Sequence, residues 1–172
     1  MTLPSPVNRD LAVSAVEDFF AAEKWQRMIG EYGWVFGMID PLTLIVSMSA
    51  RPANGVADVF TLRLACDYYP THPPDVRFVN PQTFDYNPGA DLRHVANLQA
   101  QYCYVHTSYG YQHPYKYGPQ LVCSSMTLGY YFSNHNPTED QAWDPRRHNI
   151  GSTIYVVHRA LHSPHYHGRH AG

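Results

Sequence analysis

The chain is predicted to be an α+β protein on three observations: a stretch of helix formers near the N-terminus without Pro or Gly, three β-type runs joined by short turn sequences, and a late segment whose apolar residues recur at helical spacing. The helix is predicted over residues 11–29, LAVSAVEDFFAAEKWQRMI, with Asn8 available as a cap. Ala12, Ala15, Phe19, Ala22 and Trp25 or Gln26 share one side of it, while Glu17, Asp18, Lys24 and Arg27 fall mostly elsewhere. One face should therefore pack on a sheet.

Gly30 and Gly33 end that helix, and β-type runs follow at 34–39, 42–50 and 59–68. The links Asp40-Pro41 and Arg51-Pro52-Ala53-Asn54-Gly55 carry turn chemistry, and links this short join antiparallel neighbours. The prolines of Tyr69-Pro70-Thr71-His72-Pro73-Pro74 are excluded from a central strand, so a short fourth strand begins after them, at 76–79. From 80 to 117 the sequence is rich in Asn, Pro, Gly, Gln and Tyr, which predicts a long ordered loop with a short helix near 92–101. The last predicted element runs from 150 or 152 to 161, with Ile154, Val157 and Leu161 on its inner stripe. Residues 162–172, with His162, His165, His167 and His170, are expected to form an exposed tail. No repeat and no linker divides the 172 residues, so a single domain is expected, its core over about 9–161.

Composition narrows the function classes. A net charge of -2 supplies no cationic field for phosphate backbones, so no nucleic-acid partner is expected. No run approaches the roughly 20 apolar residues that span a bilayer, and the N-terminus lacks the pattern of an export signal, so a cytoplasmic protein without a membrane partner is expected. Cys66, Cys103 and Cys123 are odd in number and widely spaced, which suits free thiols in a reducing compartment. Cys66 alternates with Leu62 and Leu64 and should be core; the role of Cys103 is open. The histidines of the tail have a spacing that could catch a transition metal, but nothing in the sequence fixes their geometry, so no metal or cofactor is expected.

Four pieces in order carry a resemblance. Tyr69-Pro70-Thr71-His72-Pro73-Pro74-Asp75-Val76-Arg77-Phe78 matches a YPxxPPxVxF pattern. His113-Pro114-Tyr115 precedes Cys123 by ten residues, in the manner of a His-Pro-Asn motif, and Gly118 with Leu121-Val122-Cys123 follows a GxxC-like approach. Trp143-Asp144-Pro145, followed by Ile150, matches a WxPxxxI pattern that leads into a helix. Together these resemble the ubiquitin-conjugating enzymes, over about residues 11–161, and in particular divergent bacterial members. The sequence departs from that family in its long stretch between Phe78 and His113, in the 20 residues between Cys123 and Trp143, and in lacking the two helices the family commonly has after the crossing helix.

The resemblance implies that Cys123 accepts a ubiquitin-like protein from an activating enzyme as a thioester and passes it to an acceptor whose identity the sequence does not give. Cysteine suits this step because its thiolate is a good nucleophile and exchange between thioesters is nearly neutral. It also implies that His113 holds the active-site loop and that position 115 stabilises the oxyanion, although Tyr115 stands where the family has Asn. Asn134 or Asn136 are further candidates for that task, and Asp140, beside Glu139, is a candidate for receiving the acceptor's proton against the plainer reading of a solvated loop. Tyr69, Pro70, Pro73, Pro74, Pro114, Gly118, Trp143 and Pro145 would be scaffold, with Trp143 and Pro145 buried onto the crossing helix. Without the further helices, an apolar patch on that crossing helix would await a partner. Two other readings stay open: a binding module with the same fold and no chemistry, and a Cys/His hydrolase or metal enzyme pairing Cys123 with His113, His135 or His148, or Cys103 with His106.

Overall fold

A computed structural model describes residues 3–110, 119–133 and 135–170. The N-terminal helical region comes as two helices rather than one, α1 (Arg9–Ala21) and α2 (Glu23–Tyr32). Asn8 caps α1 by accepting the amide hydrogens of Asp10 and Leu11. The break falls at Ala22, which is extended with φ −74° and ψ 118°. Past it, the Gln26 side chain donates to the carbonyl of Phe20 at 2.9 Å, satisfying a group the interrupted helix leaves free. The inner face of α1 is Ala12, Val16 and Phe19, so Val16 takes the buried place expected for Ala15.

Four antiparallel strands follow as a meander: β1 (Val35–Asp40), β2 (Thr43–Ala53), β3 (Val56–Ala65) and β4 (Asp75–Phe78), in that spatial order. The Asp40 carboxylate accepts from the Leu42 amide at 2.8 Å and the Thr43 hydroxyl at 2.9 Å, which closes the first turn. Asn54 and Gly55 form the second turn, both at positive φ (53° and 78°), and this two-residue geometry matches the twist of the strands it joins. A register shift between Ala50 and Ala53 admits Pro52 into β2. Leu44, Val46 and Met48 of β2 meet Phe60, Leu62 and Leu64 of β3 in the core.

The remainder differs from the expectation. Residues 80–117 are not a loop throughout: a short 3-10 turn at Leu92–His94 stands where a helix is predicted, followed by β5 (Ala96–Ala100) and β6 (Cys103–His106). With β7 (Leu121–Cys123) and β8 (Tyr166–Arg169) they make a second antiparallel sheet in the order β7-β6-β5-β8. The His-rich tail is therefore not free. Tyr166 is buried with its ring 5.8 Å from Phe60, and the Arg169 guanidinium donates to Asp58 at 2.8 Å, so aromatic burial and an ion pair hold β8 against the meander.

After β7 come a short helix, α3 (Leu128–Phe132), and the crossing helix, α4 (Ile150–Leu161). Asn149 caps α4 at the Gly151 amide while Ser152 accepts from the Asn149 amide, a capping box. Ile150, Ile154, Val157, Ala160 and Leu161 are all buried within the chain, against β2, β5, β6 and α1, so the patch expected to need a partner is filled by the protein itself. A Cβ at Gly151 would lie 2.1 Å from the Trp25 ring, so glycine there is what lets α2 close onto α4. Among the described residues, no helix is long and apolar enough to cross a membrane.

Besides the β8 contacts, the two sheets meet at a seam between β4 and β7. The buried Gln120 side chain accepts the Phe78 amide hydrogen at 2.7 Å and donates to the Phe78 carbonyl at 3.1 Å, taking the place of a neighbouring strand beside β4. Arg77 donates to the Gln120 carbonyl and pairs with Asp75 at 3.4 Å, both side chains almost wholly buried.

Candidate active site around Cys123

Of the three cysteines, two are sealed. Cys66 and Cys103 are fully buried, and burial raises both thiols, Cys103 to about 12. Cys66 is the core residue expected, and the open question of Cys103 resolves to packing beneath β6. Cys123 is the partly exposed one. It ends β7, the outer strand of the second sheet, opposite Tyr104 of β6. Partial burial pushes its thiol up to about 11, so at neutral pH the sulfur carries its proton.

The thiol sits in an open groove of about 490 Å³. Its lining comes from Gln101 and Tyr102 of the β5–β6 turn, Val156 of α4, and Tyr130, His135 and Gln141. The floor is the chain from Cys123 to Met126. Histidine aside, none of these residues carries an ionisable charge other than the thiol and the phenols. The Arg159 guanidinium lies 4.3 Å from the centre of the Tyr102 ring.

His135 approaches the thiol, with Nε2 3.4 Å from Sγ, a sulfur hydrogen bond. Its other nitrogen, Nδ1, lies 2.7 Å from the Ser133 hydroxyl, and the Tyr130 ring stacks on the imidazole at 4.2 Å. Ser133 is buried and donates its own hydrogen to the Tyr130 carbonyl at 3.0 Å.

The floor is fixed from below by the motif residues. Leu128 donates its amide hydrogen to the Pro74 carbonyl, and Trp143 Nε1 donates to the Pro70 carbonyl at 2.8 Å, so the Pro-rich segment is bonded both to α3 and to Trp143. Tyr69 packs its ring against Trp143 at 6.3 Å. The Tyr131 hydroxyl accepts the Trp143 amide hydrogen and donates to the Ser125 carbonyl at 2.8 Å, which ties Trp143 to the turn following the cysteine. Thr153 of α4 donates to the Met126 carbonyl at 2.7 Å. Tyr69, Pro73, Pro74 and Trp143 are buried. Pro145 is exposed: the stretch after Trp143 is set instead by the Asp144 carboxylate, which pairs with Arg146 at 2.9 Å, and by His148, whose Nδ1 accepts the Asp144 amide hydrogen.

Other candidates are not brought to the thiol. Asp140 is exposed and lines, with Glu139, a separate depression; its neighbour Gln141 is the residue that reaches the groove. His148 packs on Trp143 rather than on Cys123, and His106 stacks between Tyr104 and Tyr109. His113, Pro114, Tyr115, Gly118 and Asn134 lie outside the described residues, and Asn136 is exposed. Among the described residues, no three His, Cys, Asp or Glu side chains converge to hold a metal ion.

Sequence reasoning reaches His135 only as one of several histidines that might meet a cysteine. Ser133 and Tyr130 it misses altogether, because no spacing marks them. The usable signal is local: a helix ending Tyr130-Tyr131-Phe132-Ser133 two residues before a histidine and within a dozen of a cysteine. Comparison with models of protein families, with curated proteins and with solved structures finds no match.

Proposed function

We propose that the protein is a conjugating-enzyme-like acyl carrier. In this reading Cys123 takes the C-terminal acyl group of a ubiquitin-like protein from the thioester of an activating enzyme and yields it to an acceptor nucleophile. The observation that carries the reading is the selective exposure of one thiol: Cys66 and Cys103 are sealed in the core while Cys123 lies on the floor of an open groove. The order of a helical N-terminal region, a four-stranded antiparallel meander, a Pro-rich segment bonded to a tryptophan, a cysteine and a crossing helix supports it. The groove suits an extended, uncharged peptide end, since its walls are amide, hydroxyl, aromatic and aliphatic groups.

The test is mass spectrometry of the protein after incubation with ATP, its activating enzyme and the ubiquitin-like protein, with and without thiol reductant. The expected result is an adduct that reductant removes from the wild type, that is absent in Cys123→Ala, and that resists reductant in Cys123→Ser. No adduct, with both partners active on their own, would leave a binding module. A second reading, hydrolysis of an acyl group through the same thiol, is favoured by the Cys123–His135 contact. It predicts that an adduct forms and decays to free acid without any acceptor amine.

A further inference from the structure

The geometry points to His135 as the general base of the Cys123 thiol, with Ser133 as the positioning residue that keeps its Nε2 lone pair facing the sulfur. This rests on the reading that Cys123 accepts an acyl group, whatever the donor. The conjugating-enzyme pattern read from the sequence assigns no base to the thiol, and Asp140, the candidate for the acceptor's proton, lines a separate depression.

The tautomer follows from donor and acceptor accounting. A serine hydroxyl has one hydrogen, and the Tyr130 carbonyl, 3.0 Å away, can only accept it. With that hydrogen given to Tyr130, the Ser133 oxygen accepts from His135, which assigns the ring hydrogen to Nδ1, at 2.7 Å. Nε2 is left with its lone pair, 3.4 Å from Sγ, where it receives the thiol hydrogen. The stacked Tyr130 ring restricts the imidazole from turning away. Ser133 is buried and is bonded on both sides, so the arrangement is built in before any substrate arrives.

The proton count closes for both half-reactions. In the first, Sγ forms a bond to the acyl carbon of a donor thioester as the S–H proton passes to Nε2. The donor C–S bond breaks and the leaving thiolate takes that proton. In the second, an acceptor amine gives a proton to Nε2 as its nitrogen bonds to the acyl carbon, and the departing Cys123 thiolate recovers it. No oxidant, reductant or metal enters. A base is needed because a thiol held up at about 11 is almost wholly protonated at neutral pH and so is a poor nucleophile alone.

The experiment uses p-nitrophenyl acetate as a small acyl donor, with release of p-nitrophenolate followed over pH and acetylation of Cys123 verified by mass. The expected result is that His135→Ala and His135→Gln slow acylation at neutral pH by about a hundredfold, the lower end of general-base contributions. Both variants should show rates that climb steadily with pH towards the thiol's own range, where the wild type keeps its rate at neutral pH. Ser133→Ala should cost roughly tenfold through the wrong tautomer, and Ser133→Thr should restore the rate. Circular dichroism melts serve as the folding control, and Gln, which keeps size and hydrogen bonding, covers the case in which Ala disturbs the loop. Acylation of either folded His135 variant within about twofold of wild type, with the same pH profile, would overturn the inference, as would a wild-type Cys123 inert to the ester. Because this assay needs neither the activating enzyme nor a ubiquitin-like protein, a failed protein adduct with a His135-dependent acetylation would sink the carrier reading alone.

Discussion

The two sheets of this protein are built by different means. The meander has strands of up to 11 residues, the first three joined by tight turns, and its core face is a run of branched and aromatic side chains. The second sheet assembles strands of 5, 4, 3 and 4 residues from segments far apart in sequence. Its inner residues include Ala96, Ala100 and Cys103, which bury little apolar area each. What it lacks in burial it recovers in polar stitching to the meander: Gln120 against Phe78, Arg77 against the Gln120 carbonyl, Arg169 against Asp58. Cys123 stands in the second sheet, on its outer strand. The chemistry is thus carried by the sheet that depends on directional bonds, with the meander as its foundation.

If that contrast is right, the seam is where the molecule breaks most readily. Arg77→Met is the severest test, because it removes both the guanidinium that pairs with buried Asp75 and its bond across to the Gln120 carbonyl. Loss of one member of a buried pair costs about 3–5 kcal/mol. Urea unfolding followed by circular dichroism should show the midpoint fall by the corresponding amount. An unchanged midpoint would mean that the Arg77 bonds contribute nothing to holding the two sheets together.

Gln120→Ala is milder and more local. It strands the amide hydrogen and carbonyl of Phe78, at a cost of roughly 2–4 kcal/mol on the usual penalty for unsatisfied buried groups. The sharper readout is hydrogen exchange: the Phe78 amide and the β6–β7 amides of Tyr104 to His106 should lose protection, while the β2–β3 ladder keeps its own. A uniform loss across both sheets would show that they do not differ in the way proposed.

The same contrast explains what could be read in advance. The meander and α4 were legible because their signals are local: period-2 runs, Asn54-Gly55 at a turn, Ile154 and Val157 at helical spacing. The second sheet was not, because β5 is too short and too poor in branched residues to stand out, and β8 depends on pairing with β5 about 70 residues away and on contacts with Phe60 and Asp58, more than 100 residues away. The break at Ala22 was equally hidden, since alanine is the strongest helix former and only tertiary closure of Trp25 over Gly151 accompanies it. At the site, Cys123, Trp143 and the Pro-rich segment were found from order and spacing, whereas Ser133 and Tyr130 act through backbone carbonyls and ring stacking, which leave no pattern in a sequence.

The smallest expected effect lies on the meander side, at His158 of α4. The Trp34 indole donates to His158 Nδ1 at 3.1 Å, and burial with the nearby His162 lowers the imidazole to about 4. A neutral ring is therefore what the folded state accommodates. The unfolded chain, titrating near 6.5, binds a proton over the interval in which the folded protein resists one, so the stabilisation is complete above 6.5 and is lost as pH falls towards 4. Because the ring is only partly buried, about 1–2 kcal/mol is expected rather than the full linkage value. Other histidines held low, such as His72 and His170, add to the same acid slope, so the informative quantity is a difference. Comparing urea midpoints of the wild type and His158→Phe across pH 4 to 7 should show a gap that changes by that amount. A constant gap would place the pH sensitivity in the histidines around the second sheet and would make that sheet the weaker one in acid as well.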